Sequence, residues 1–197
     1  MRIIAITGGI GSGKSIVSRV VEAMGYQVYD CDSQAKRLMD ESDRIKQDIT
    51  RRIGESCVKS GRIDRAELAG IVFGCEEKLA TLNSIVHGAV REHLAMWAAT
   101  LESRATICFV ETAILYQSGL DAMVDEVWEV TAPTELRVER VMKRNGLTAG
   151  QVKARIDSQD SFQATSPHHC VHLIVNDDDR AVLPQIERLL AAAMSHG

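Results

Sequence analysis

A chain of 197 residues with 45% hydrophobic and 25% charged residues is long enough to bury the core of one α/β domain. Its net charge of −4 argues against a surface that coats nucleic acid, and no run approaches the ~18 apolar residues of a membrane span. The five cysteines, 31, 57, 75, 108 and 170, make no C-x-x-C pair and the chain opens on a strand pattern, so free thiols and a cytoplasmic location are expected, with no call for a membrane, nucleic-acid or obligatory protein partner.

The first element is the apolar run Arg2-Ile3-Ile4-Ala5-Ile6-Thr7, which predicts a buried strand. Gly8-Gly9-Ile10-Gly11-Ser12-Gly13-Lys14-Ser15 follows and meets every position of the phosphate-loop pattern. Ile16, Val17, Val20, Val21 and Met24 then recur at helical spacing, and Gly25 marks the stop. Strand, glycine loop and helix together are the setting the motif needs. The glycines let successive N–H groups converge on one anion, and the helix adds its positive end. Lys14 supplies a mobile cation for the β- and γ-phosphates, and the Ser15 hydroxyl is placed for Mg²⁺.

Gln27 to Asp30 reads as a second strand ending in Asp30-Cys31-Asp32, and helical periodicity resumes at Ser33. From about 33 to 104 helical spacing and charge dominate, and Leu79, Leu82, Ile85, Val86, Val90, Leu94 and Trp97 predict a long amphipathic helix from Glu77 to Leu101. Strands follow at Thr106–Val110, closed by Glu111, and at Glu126–Thr131. Pro133 starts a helix, with Thr131 or Thr134 as its cap, and a further helix spans 148–160. A short strand, His172–Val175, and a closing helix, Arg180 to Met194, complete the order. Strands separated by helices imply a parallel sheet covered on both faces, and the helical block reads as an insertion over the carboxyl ends of the strands. His168 and His172 have metal-like i,i+4 spacing, but with no second ligand pair they read as surface and edge-strand histidines.

Phosphoryl transfer needs a phosphate cradle, a metal site, a group to manage the acceptor proton and extra cations. Asp30 and Asp32 share a face if the strand persists, where one accepts a hydroxyl proton and either holds Mg²⁺-bound water; alternatively Asp30 caps the next helix and Asp32 is only exposed. Glu111 closes an apolar strand, either orienting the metal's water shell or ending in solvent. Arg137, Arg140 and Arg144 fall in one sector of a helix, with Arg155 on the next, and suggest a mobile arginine-bearing lid in which Arg140 meets the transferring phosphate; a solvated face is the alternative.

These motifs resemble the dephospho-CoA kinase family, which is similar in fold to the nucleoside monophosphate kinases. The resemblance runs through Ile6 to Ser15, Asp30-Cys31-Asp32 with Ala35-Lys36-Arg37, Gly61-Arg62-Ile63-Asp64-Arg65 with Leu68 and Ile71 to Phe73, and Leu82, Ile85 and His87. Arg140, Arg144, Arg155 and Gln159 are similar to its lid, and Asn176 to its final strand end. Gly88 stands where the family often has proline, and Glu111-Thr112-Ala113-Ile114-Leu115-Tyr116-Gln117 lacks the usual proline and second acid. The family's basic residue beyond the glutamine has no counterpart in 161–167, and Ile16 follows the loop serine, where Thr or Ser is common.

The resemblance implies a three-layer P-loop kinase that phosphorylates the ribose 3′-hydroxyl of dephospho-CoA with ATP and Mg²⁺. It implies a core of about 1–32, 105–135 and 170–197, an acceptor-binding insertion of about 33–104 and a lid of about 136–169. Lys14, Asp32 and Arg140 would be catalytic. Gly11, Ser12, Gly13, Lys14, Ser15, Ile16 and Arg144 would hold ATP, with Ser15 also on the metal. Asp32, Arg37, His87, Glu111 and Leu115 would border the acceptor. Another metabolite kinase of the same architecture, or a nucleotide-dependent switch without turnover, are the alternatives.

Overall fold

The computed structural model describes residues 1–160 and 167–195. Five strands form one sheet in the order β2-β5-β1-β6-β7: β1 Arg2–Thr7, β2 Gln27–Asp30, β5 Ile107–Glu111, β6 Glu126–Thr131 and β7 Val171–Val175. The pairings of β1 with β5 and β6, and of β6 with β7, are parallel. β1 lies at the centre, and its Ile4, Ala5 and Ile6 are completely buried. So are the continuous apolar residues of β5, as expected for strands covered on both faces. Ile4, Ile6, Phe109, Trp128, Val130 and Ile174 of the sheet form one core with Val17 and Val21 of α1 (Lys14–Ala23) and Ile186 and Leu190 of α8 (Val182–Ser195). Phe109 anchors its aromatic centre, with ring centroids 5.0 Å from Trp128 and 5.6 Å from Tyr26.

A second small core lies on the other helices of this half. Val138 and Val141 of α6 (Thr134–Asn145) pack with Val152 and Ile156 of α7 (Ala149–Asp160), and Ile10 of the glycine loop joins them. α7 starts at a reciprocal cap in which the Gln151 side chain accepts from the Thr148 N–H and the Gln151 N–H donates back to Thr148 Oγ1. α6 has no side-chain cap at Pro133, so neither Thr131 nor Thr134 fills that role.

The chain divides into two compact units, residues 1–29 with 104–197, and residues 30–103. The second unit holds α2 (Cys31–Glu41), α3 (Asp43–Arg52), α4 (Arg65–Val72) and the long α5 (Glu76–Leu101). Ile45, Ile49, Ile53, Leu68, Val72 and Ile85 form its core. Where helical periodicity alone was expected, it also contains a small antiparallel hairpin of β3 (Val58–Lys59) and β4 (Arg62–Ile63). Its two-residue turn, Ser60-Gly61, has φ of 50° and 74°, the left-handed pair that matches strand twist in tight hairpins. Two-residue strands are too short to leave a period in the sequence.

Candidate active site

The glycine loop lies between β1 and α1, beside the strand ends of β5 and β6. Gly13 is the residue before α1, with φ of 97°, and a Cβ there would overlap Asn176 Nδ2. Glycine is therefore required twice over at this position. Gly8 is held as closely, since a Cβ on it would overlap the Val130 carbonyl.

Side chains pin the loop from several directions. The Lys14 ammonium donates to the carbonyls of Gly8 at 2.8 Å and Gly9 at 3.3 Å, so it folds over the cavity that an anion would occupy. The Ile10 peptide is fixed on both sides: its N–H donates to Gln159 Oε1 at 2.7 Å, and its carbonyl accepts from Arg137 Nε at 3.0 Å. Gln159 Nε2 in turn donates to the Ala113 carbonyl at 2.9 Å, tying α7 to the segment after β5. Asn176, 6% exposed at the end of β7, donates from Nδ2 to the Ser12 carbonyl at 2.9 Å. A loop held this rigidly can point its first-turn N–H groups at an anion with little ordering cost at binding. Gly11, Ser12, Gly13, Lys14, Ser15 and Ile16, the expected ATP residues, all fall on this turn. Ser12 is buried, with Oγ lacking a hydrogen-bond partner, while Ser15 and Ile16 are exposed in the first turn of α1.

The arginines do not form one cationic face. Arg137 is 9% exposed and serves as a strut beneath the loop, because it lies one turn before Val141 on the buried side of α6. Arg140 is half-buried; it pairs with Asp178 and donates to the Asn176 carbonyl at 3.0 Å. Arg144 and Arg155 are exposed, with Arg144 Nε donating to Asn145 Oδ1 at 2.9 Å. Residues 161–166 of the expected lid lie outside the described residues.

The expected metal ligands can be tested on chemistry. Glu111 is the last residue of β5 and pairs with Ile6, one residue before the end of β1, and the Thr112 N–H donates to the Ile6 carbonyl at 3.1 Å. An exposed hydroxyl from Ser15 and the carboxylate of Glu111 are hard oxygen donors, which suit Mg²⁺. Leu115 is 1% exposed, and its carbonyl accepts from the Ser118 hydroxyl at 3.0 Å and the Leu120 N–H at 3.1 Å within a turn.

The second unit starts at Asp30, the last residue of β2, and the Asp30 carboxylate caps α2 by accepting from the N–H groups of Asp32 at 3.0 Å and Ser33 at 3.1 Å. The shared strand face for Asp30 and Asp32 is thereby corrected: Asp32 is exposed in the first turn of a helix. Arg37 donates to Gln34 Oε1, Glu41 and His93 Nε2, the last at 2.9 Å, which makes that ring nitrogen an acceptor. His87 is half-buried on α5; burial, and then the Arg91 charge, hold its pKa below the usual imidazole range.

Sequence reasoning placed Arg137 with the lid arginines rather than beneath the loop, and understated Gln159 and Asn176. Arg137 carried a signal, since it shares the helical stripe of Val138 and Val141. Gln159 and Asn176 carried none beyond the resemblance, because their partners in the glycine loop are backbone atoms more than 100 positions away.

A parallel sheet with a braced phosphate loop on its central strand defines a P-loop nucleotide-binding protein. Structural comparison agrees on the fold: a shikimate kinase from Acinetobacter baumannii superposes over 100% of this chain and 94% of its own, with a TM-score of 0.52 at 15% identity. A Thermus thermophilus crystal structure covers 99% of this chain and 97% of its own at 33% identity and a TM-score of 0.76. The dephospho-CoA kinase of Porphyromonas gingivalis is 37% identical over 95% of this chain and 92% of its own. That of Corynebacterium diphtheriae is 35% identical over 96% of each. The dephospho-CoA kinase family model matches residues 2–181, and the chain belongs to that family.

Proposed function

We propose that this enzyme transfers the γ-phosphate of ATP to the ribose 3′-hydroxyl of dephospho-CoA, giving CoA and ADP. The observation that carries the reading is the glycine loop: the side chains of Gln159, Arg137 and Asn176 brace its backbone while Lys14 waits on its carbonyls. Family membership supports the acceptor. On this reading the loop from Gly11 to Ile16 takes the ATP phosphates, and Lys14 leaves the Gly8 and Gly9 carbonyls for phosphate oxygens. Asp32 accepts or aligns the 3′-hydroxyl proton, while Asp30 has already spent its carboxylate on the helix cap. Arg140 meets the transferring phosphate, and Arg144 the donor. Ser15 and Glu111 would hold Mg²⁺, directly or through water; when bound, the ion neutralises charge building on the phosphate oxygens. Arg37 and His87 border the acceptor within an acceptor-binding unit of about 33–104, Leu115 borders it from the segment after β5, and α6 and α7 form the lid that excludes water.

A cytoplasmic location fits five free thiols, which a reducing compartment preserves, and no described helix is long and apolar enough to cross a membrane. The decisive experiment is a coupled assay with ATP and Mg²⁺ in which dephospho-CoA, adenosine, AMP and CMP compete as acceptors. The reading expects CoA as the dominant product; preferred turnover of any other acceptor refutes it.

A further inference from the structure

We propose that Glu126, Cys170 and His172 form a binding site for one Zn²⁺ ion at the amino-terminal edge of β6 and β7, away from the phosphate loop. Glu126 pairs with Ile4, four residues before Gly8, which puts the cluster roughly 13 Å along β1 from the loop. In the β6–β7 register Trp128 faces His172, so Cys170 falls opposite Glu126. The two-residue period of a strand then sets Cys170 and His172 on one face, beside Glu126.

The spacing suits a tetrahedral ion. His172 Nε2 lies 3.3 Å from Glu126 Oε1, and Cys170 Sγ lies 3.5 Å from His172 Nε2. With zinc bonds of roughly 2.3 Å to sulfur and about 2.0–2.1 Å to nitrogen and oxygen, tetrahedral angles place sulfur and nitrogen roughly 3.5 Å apart and nitrogen and oxygen roughly 3.3 Å apart. All three ligand atoms lie within 4.8 Å of one another.

The donor set of thiolate, imidazole and carboxylate selects zinc over the hard ion expected at the phosphate loop. The Glu126 carboxylate is already oriented by the Trp128 indole N–H, which donates to it at 2.7 Å, an outer-shell bond of the sort that holds ligands in place. The His172 side chain is 39% exposed, so an ion and a fourth ligand, water, have a path in. His168 is spent elsewhere: its Nδ1 accepts from the Cys170 N–H, and its Nε2 donates to the Val124 carbonyl. The i,i+4 histidine pair legible in the sequence is therefore not the ligand set. Burial and the Glu126 charge push the Cys170 thiol up, so binding exchanges the thiol proton, released to water, for a sulfur–zinc bond. Thiolate and carboxylate together balance the dication, and the nearby Arg2 donates to the Ala193 carbonyl at 2.9 Å.

The test uses the full chain, stripped of metal and free of nucleotide, titrated with Co²⁺ as probe. Wild type is expected to take up one equivalent, with a near-ultraviolet thiolate-to-cobalt band and the visible bands of a four-coordinate ion. Zn²⁺ should displace it and excess Mg²⁺ should not. Cys170→Ser removes the near-ultraviolet band, and Cys170→Ser and His172→Ala each weaken Zn²⁺ binding at least about tenfold. His168→Ala retains the band. Circular dichroism and undiminished kinase turnover establish that the variants are folded. Absence of the band in wild type identifies a hydrogen-bonded triad without metal, survival of the band in Cys170→Ser places the ion on another cysteine, and its loss in His168→Ala restores the histidine pair. Each of these three results overturns the proposal.

Discussion

Replacing Asn176 with alanine tests the idea that one buried amide sets the shape of the phosphate loop. The Asn176 Nδ2 bond to the Ser12 carbonyl is 2.9 Å long, and Ser12 is 1% exposed, so water has no direct route to replace the lost donor. Stranding a buried acceptor costs about 1–3 kcal/mol. The backbone of residue 176 keeps its bond from the N–H to the Thr131 carbonyl, and Arg140 keeps its bond to the carbonyl of residue 176, so the only further loss is the long 3.5 Å contact from Arg140 Nη2 to Asn176 Oδ1. A net loss near ~2 kcal/mol in a chain of this size lowers Tm by roughly 4–8 °C. Asn176→Asp should do worse, because it sets a carboxylate oxygen against a carbonyl oxygen. Calorimetry on the two variants, with ATP titrated into each, reads both effects. The KM for ATP should rise in Asn176→Ala while the acceptor KM stays put. Unchanged Tm together with unchanged ATP affinity in Asn176→Asp refutes the bracing argument.

Lys14→Ala and Asp32→Asn should both abolish turnover, yet only the first should impair ATP binding by calorimetric titration; equal losses of binding contradict the separate roles. Arg140→Ala should lower kcat by more than it raises KM, as a contact strengthened at the transition state does, and steady-state kinetics showing a pure KM effect would move Arg140 to ground-state binding. Asp30→Ala should cost about 1 kcal/mol through loss of the α2 cap, read as a lower Tm. His87 has a folded pKa depressed by burial, so below about pH 6.5 the unfolded chain binds more protons and stability falls with pH. His87→Gln should reduce that slope in urea titrations between pH 7 and pH 5, and an unaltered slope would mean the imidazole is hydrated.

The fold was legible where periods are long and backbone chemistry is local. The 26-residue α5 and the buried runs of β1 and β5 stand out because many residues repeat one pattern. The hairpin of β3 and β4 was hidden by its brevity. In the site, the glycine loop was legible because its glycines answer to backbone angle and close approach, which no other residue satisfies. The roles of the arginines were not: steps of three and four put Arg137, Arg140 and Arg144 on one side of α6, but packing against the loop buried the first, paired the second and left the third in water.

By itself the sequence determined the class of chemistry, since a strand, a glycine turn and a lysine at the start of a helix are contiguous and need only local geometry to become an anion site. Tertiary structure decided which distant side chains hold that turn. Gln159 and Asn176 reach Ile10 and Ser12 across 149 and 164 positions. Pairing β6 with β7 likewise brought Glu126 to Cys170 and His172. Such partners are set by strand order and helix packing, and a linear pattern carries no record of either.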